Sequence, residues 1–144
     1  MNRASGVAAI IALTLSACAT QDSTALLCET AIEPAINAIL GDSELEIFSV
    51  ERLEECEWTS EESPEESILV QLEDVPDGEL FIQHAIEATD PALVQPLEEG
   101  SVMFTNEAVI GSHGNRVALV SATVDTELLV PVLEAALDGL ASAE

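Results

Sequence analysis

The sequence predicts an α+β domain: a small antiparallel β-sheet with three helices packed mainly on one face, in outline α-β-β-α-β-β-α. Three observations carry this reading. Apolar residues recur at helical spacing in three separated stretches, around residues 28–39, 81–88 and 129–140. The segments between them alternate apolar and polar residues, as half-buried strands do. Those alternating segments come in groups, so the regular strand–helix repetition of a parallel sheet is absent.

The elements follow in order. "LLCETAIEPAINAILG" reads as the first helix, with Cys28, Ile32, Ala35, Ile36 and Ile39 as its apolar stripe. Thr30 and Glu33 have capping-box spacing, which would start the helix at Thr30. Pro34 suits a helix start, and Gly41 is a C-terminal stop. "LEIFSV" (45–50) and "ECEWTS" (55–60) are candidate strands. Cys56 and Trp58 share one face of the second, with Glu55, Glu57 and Thr59 on the other; Trp58 reads as core packing. "SILVQLEDV" (67–75) places Ile68, Val70 and Leu72 on one side. Asp77 is the N-cap of a second helix that runs to about Thr89. It presents Phe81, Ala85 and Ala88, with His84 partly buried. "TDPALVQPLEEG" is a loop with two prolines, and "SVMFTNEAVI" (101–110) is one strand, bulged at Asn106. "GSHGN" is a hairpin turn that includes His113. "RVALVSATV" (116–124) alternates most clearly, with Ala118, Val120, Ala122 and Val124 on one face. Asp125 or Thr126 caps the last helix. Its stripe is Leu129, Leu133, Ala136, Leu137 and Leu140, and Pro131 lies near its start.

Ahead of this domain, Arg3 precedes the short apolar run "GVAAIIALTL". That run is about half the ~20 residues a membrane-spanning helix needs and matches a secretory signal peptide. Leu15-Ser16-Ala17-Cys18 resembles the bacterial lipobox at every position. The resemblance implies cleavage before Cys18, whose sulfur then carries a diacylglyceryl group. Two acyl chains anchor stably where one is marginal. The expected organisation is a lipoprotein signal peptide (1–17), a lipidated N-terminus and tether (18–25) and one domain (26–144). The location is the extracytoplasmic face of the cell membrane. From Cys18 to Cys28 the chain spans at most ~35 Å, which holds the domain close to the membrane.

Cleavage leaves 127 residues, all 28 acids, and only Arg52 and Arg116 as bases, a formal charge of −26 without one lysine. Such a surface repels nucleic acid and anionic headgroups, because phosphate binding needs Lys and Arg. It suits a basic protein partner or adaptation to salt. Eight acids fall between Glu51 and Glu66. They form no calcium loop of the D-x-[DN]-x-[DN]-G kind, and a solvated loop and strand face accounts for them.

With Cys18 lipidated, Cys28 and Cys56 remain. Export places them in an oxidising compartment, where such a pair usually forms a disulfide; two reduced buried thiols are the alternative. A metal site is disfavoured. Two cysteines fall short of the four ligands of structural zinc, and His84 and His113 lack finger spacing.

The layout from about residue 26 to 140 resembles an actinobacterial lipoprotein family, the domain of unknown function 3558 family. "LCETAIEPAINAILG", "CEW" ahead of a strand, "GNRVALVSATV" and the closing "LLVPVLEAAL" carry the resemblance. It implies a Cys28–Cys56 bridge between helix start and strand, and it offers no activity to carry over. The chain departs from the family in its charge and at "VQPLEEGSVMFTNEA", where a shorter glycine-containing turn is typical.

Catalytic signatures are missing. There is no G-x-S-x-G elbow, H-E-x-x-H helix, P-loop or G-x-G-x-x-G turn. Ser112 beside His113 reads as a turn pair without an orienting third group. The expectation is a monomeric, non-enzymatic envelope lipoprotein, without cofactor, that meets a protein partner. The alternative is a carrier of a small apolar ligand, favoured by an apolar pocket of ~300 Å3 or more between sheet and helices.

Overall fold

The computed structural model describes residues 24–142 apart from 106. The signal segment, Cys18 and the tether up to residue 23 lie outside the described residues. Residues 24 and 25, expected to end the tether, are helical, and Thr24 is buried.

The first helix does not begin at Thr30. A π-helical stretch, Leu27–Ile32, leads into α1, Glu33–Leu40. Pro34 explains the change of pitch: its ring clashes with the carbonyl four residues back, and a widened turn makes room. Glu33 accordingly donates its N–H to the Cys28 carbonyl, five residues back. The Thr30 hydroxyl donates to the Leu26 carbonyl at 2.5 Å, so Thr30 sits within the helical run and caps nothing. Gly41 ends α1 with φ 72°.

Among the described residues seven antiparallel strands form one sheet: β1 (Ser43–Val50), β2 (Leu53–Ser60), β3 (Ser67–Asp74), β4 (Val94–Pro96), β5 (Val102–Phe104), β6 (Ala108–His113) and β7 (Arg116–Ala122). Their order across the sheet is β1-β2-β3-β7-β6-β5-β4. Helix α2 (Gly78–Glu87) follows β3, and α3 (Val130–Ser142) closes the domain after a 3-10 turn, Thr126–Leu129. The architecture is thus α+β, with three helices packed against one antiparallel sheet and a Cys28–Cys56 disulfide.

Among the described residues three strands precede α2, matching the candidate segments 45–50, 55–60 and 67–75 where the outline wrote two, and four follow it, two more than expected. The extra strands come from two places. The two-proline loop contains β4, paired to β5 from Val94↔Phe104 to Pro96↔Val102. The single strand expected over 101–110 is two strands, because the chain turns between Phe104 and Ala108 and the two then pair with each other. A bulge and a tight turn leave the same mark in sequence, a polar break in an apolar run.

The helices divide between the faces. α1 and α3 cover one face, where Ile32, Ile36, Leu133 and Ala136 bury against Trp58, Val70, Val109 and Val120. α2 lies on the opposite face of the β5–β7 half, where Ile82 packs with Val102, Phe104, Ile110 and Val117. Its N-terminus docks on the β6–β7 hairpin: a Cβ on Gly78 would come within 2.7 Å of the Gly114 carbonyl oxygen. The β5–β7 half is therefore buried on both faces. Among the described residues the β1–β3 half is covered on one.

Candidate functional site

The uncovered half-face is built by strand alternation. Residues on one side of β1, β2 and β3 turn toward α1 and α3. Their neighbours turn outward to solvent. The outward set includes Glu44, Glu46, Phe48 and Val50 on β1, Leu53, Glu55 and Glu57 on β2, and Leu69, Gln71 and Glu73 on β3. Acids and apolar side chains interleave. Glu46 stands directly opposite Glu57 across β1 and β2, a like-charge pair that destabilises the ladder. Phe48 is 48% and Val50 66% exposed beside them. Only Glu55 has an outward-face partner, accepting from Gln71 Nε2 at 2.6 Å, among the hydrogen bonds of the described side chains.

The two sheet edges differ. β4 has three residues and ends in Pro96, which cannot donate to a ladder. β1 has eight residues, pairs with β2 in an unbroken register from Ser43↔Ser60 to Val50↔Leu53, and carries neither proline nor lysine. The β1–β2 turn puts Glu51 at φ 48°, a left-handed conformation that a non-glycine residue takes at a cost.

Arg116 lies on the covered face. Its Nη2 donates to Glu54 Oε1 at 3.4 Å. Its Nε sits 2.6 Å from Asp74 Oδ1, an ion pair in which the N–H does not point at the carboxylate. One of the two bases after Cys18 is thus engaged inside the domain, where Glu54 is buried. Sequence reading missed this cluster, since Glu54 and Arg116 are 62 residues apart. A base opening the clearest strand was the available signal.

Cys28 and Cys56 meet as a disulfide, with S–S 1.96 Å and Cα–Cα 6.6 Å, both fully buried. It ties the π-helical stretch to β2 and faces away from the uncovered half-face. Trp58, core as expected, donates from Nε1 to Glu33 Oε1 at 3.4 Å. His84 is exposed, a correction to the partly buried position, because Ile82 and not the expected Phe81–Ala85–Ala88 stripe centres the buried side of α2. His113 ends β6 and pairs with Arg116, so the turn is only Gly114 and Asn115. Ser112 and His113 are consecutive on a strand and project to opposite faces.

A cleft of about 950 Å3 opens between α2 and the β4–β5 segment. Ile82, Ile86, Val94 and Val102 give it apolar wall, while Asp77 and Glu79 stand at its rim. Asp77 is already engaged there as the N-cap of α2, accepting from the Leu80 N–H at 3.2 Å. Among the described residues no three or more His, Cys, Asp or Glu side chains are grouped to hold a metal. Nor is any described helix long and apolar enough to cross a membrane. No protein-family model, curated protein or solved structure matches this chain.

Proposed function

We propose that the protein is a lipoprotein anchored through diacylglyceryl-Cys18 on the extracytoplasmic face of the membrane. In this reading it is non-enzymatic and binds a basic protein partner on the uncovered half-face of its sheet. The Glu46–Glu57 opposition, set among exposed Phe48 and Val50, supports the reading. A cation from a partner relieves the repulsion, and the apolar side chains supply area that a purely solvated face does not need. The lipobox and the disulfide agree with the resemblance to the actinobacterial family, which we propose as its affiliation.

Two measurements test this. In a lipidating bacterium the chain should take up a fatty-acid probe, and Cys18→Ala should not; label on the variant removes the anchor. A photo-crosslinking residue at Leu69, on the open face, should yield a protein adduct in the native envelope, and one at Gln83, at the cleft, should not. Adducts from Gln83 alone overturn the assignment of the face. A second reading has its own observation: the cleft volume lies within the range of small-ligand sites. An apolar small molecule captured at Gln83 would establish it.

A further inference from the structure

We infer that the partner segment joins the sheet as an additional strand on the outer edge of β1, which no described strand pairs. This rests on the reading of a basic partner and adds how it binds.

An edge strand presents a row of unpaired N–H and C=O groups, and proteins ordinarily blunt such edges with short strands, proline, lysine or bulges. The β4 edge is blunted, by length and by Pro96. The β1 edge has none of these devices except charge: eight residues run without a bulge, and Ile47, Phe48 and Val50 are all exposed. The other strongly exposed large apolar residues of the described chain, Leu26, Leu80, Leu93 and Leu128, are scattered singly over helices and turns. What protects this edge is charge. Glu44 and Glu46 are exposed on β1 itself, and the chain is acidic throughout. Two copies paired edge to edge would bring these acids together. A second copy is therefore repelled while a basic strand is attracted, so the edge is closed to itself and open to one class of partner.

Alternation fixes the pattern that fits. Residues opposite one another in a ladder share a face. On the outer face the added strand meets Glu44, Glu46, Phe48 and Val50, and on the inner face Leu45 and Ile47. An antiparallel segment, the sense of every pairing in this sheet, must then read apolar, small, apolar, apolar, basic, apolar, basic from opposite Val50 to opposite Glu44. Main-chain bonds give affinity and the alternate side chains give specificity, as in other strand additions.

A blocked synthetic peptide of that pattern is the probe, with valine, serine and lysine at the apolar, small and basic positions. It is titrated into the soluble Cys18→Ala protein at low salt. Amide hydrogen exchange should slow along β1. Two N-methylated isomers, with three methyl groups each, on peptide positions 1, 3 and 5 or on positions 2, 4 and 6, keep charge and composition but each lose N–H groups of one edge. One isomer should bind about tenfold or more weakly, the loss of two or three ladder bonds, while the other binds like the parent. Glu44→Lys with Glu46→Lys should remove binding, and Glu44→Gln with Glu46→Gln should let the protein self-associate through β1. Equal binding of both isomers without protection of β1 overturns strand addition and leaves face binding standing. Absent peptide binding alongside Leu69 adducts overturns it too. β1 protection that grows with protein concentration before peptide is added makes a second copy the occupant.

Discussion

Arg116 opens β7 and is one of two bases after Cys18. In the fold it holds Glu54, 7% exposed, and Asp74 at the end of the covered face. Replacing Arg116 by Met strips the buried carboxylate of its counter-charge. The cost should be about 2 kcal/mol, below the 3–5 of a fully buried pair, because water reaches part of the guanidinium. Adding Glu54→Met should recover most of the loss, since an apolar pair of similar volume often replaces a buried ion pair without penalty. Urea denaturation of both variants checks this, and equal destabilisation of single and double variants would show that Arg116 acts through packing of its stem. Trp58, by contrast, was legible as core because its place on a strand face depends only on local alternation. Arg116 was not, because its partner lies across a long-range strand pairing. His84 went astray for a third reason: a helix face is fixed by what it packs on, and α2 turned Ile82 inward.

At the scale of elements, the disulfide couples the first helix to β2 across 28 residues. Closing a loop of that size constrains the unfolded chain and should contribute about 3–4 kcal/mol. Non-reducing peptide mapping should recover the Cys28 and Cys56 peptides linked, and a Cys28→Ala/Cys56→Ala variant should lose stability by roughly that amount. Native protein alkylated at both thiols without reductant would refute the bridge. The long elements could be read from periodicity: β1, β2, β3, β7 and all three helices lie within a few residues of their expected spans. The short strands could not. Three residues, as in β4 and β5, are too few to show alternation; β5 takes its register from β6, and β4 takes its own from β5. The face chosen by α2 also escaped. Its signal was present in the nearly continuous apolar runs of 102–104 and 108–110, which mark strands buried on both sides. β1 and β2 interleave acids instead, and although β3 has one such run at 68–70, it is this half that keeps an open face among the described residues.

The whole molecule is governed by its charge. From Cys18 onward there are 28 acids and two bases, and one of those bases, the half-buried Arg116, is already paired with Glu54 and Asp74. Self-repulsion penalises the compact state most where screening is weakest. Raising NaCl from ~10 mM to ~1 M shortens the Debye length from ~30 Å to ~3 Å, so the melting temperature should rise. At a pH low enough to protonate the carboxylates the same salt series should do little, which separates charge from general salting-out. Partner binding should respond with the opposite sign. The attraction between an acidic face and a basic strand is screened by the same ions, so association should slow and weaken as the fold becomes more stable. Those opposed slopes distinguish two reasons for the charge. A surface adapted only to a salty habitat gains stability with salt and gives a basic peptide no salt-dependent affinity to lose. A surface shaped for a basic partner shows both slopes. Melting curves and peptide titrations on the soluble Cys18→Ala protein, run over one NaCl series, compare them directly. A rising melting temperature with salt-independent peptide affinity would assign the acids to solubility and remove the electrostatic basis for strand addition at β1.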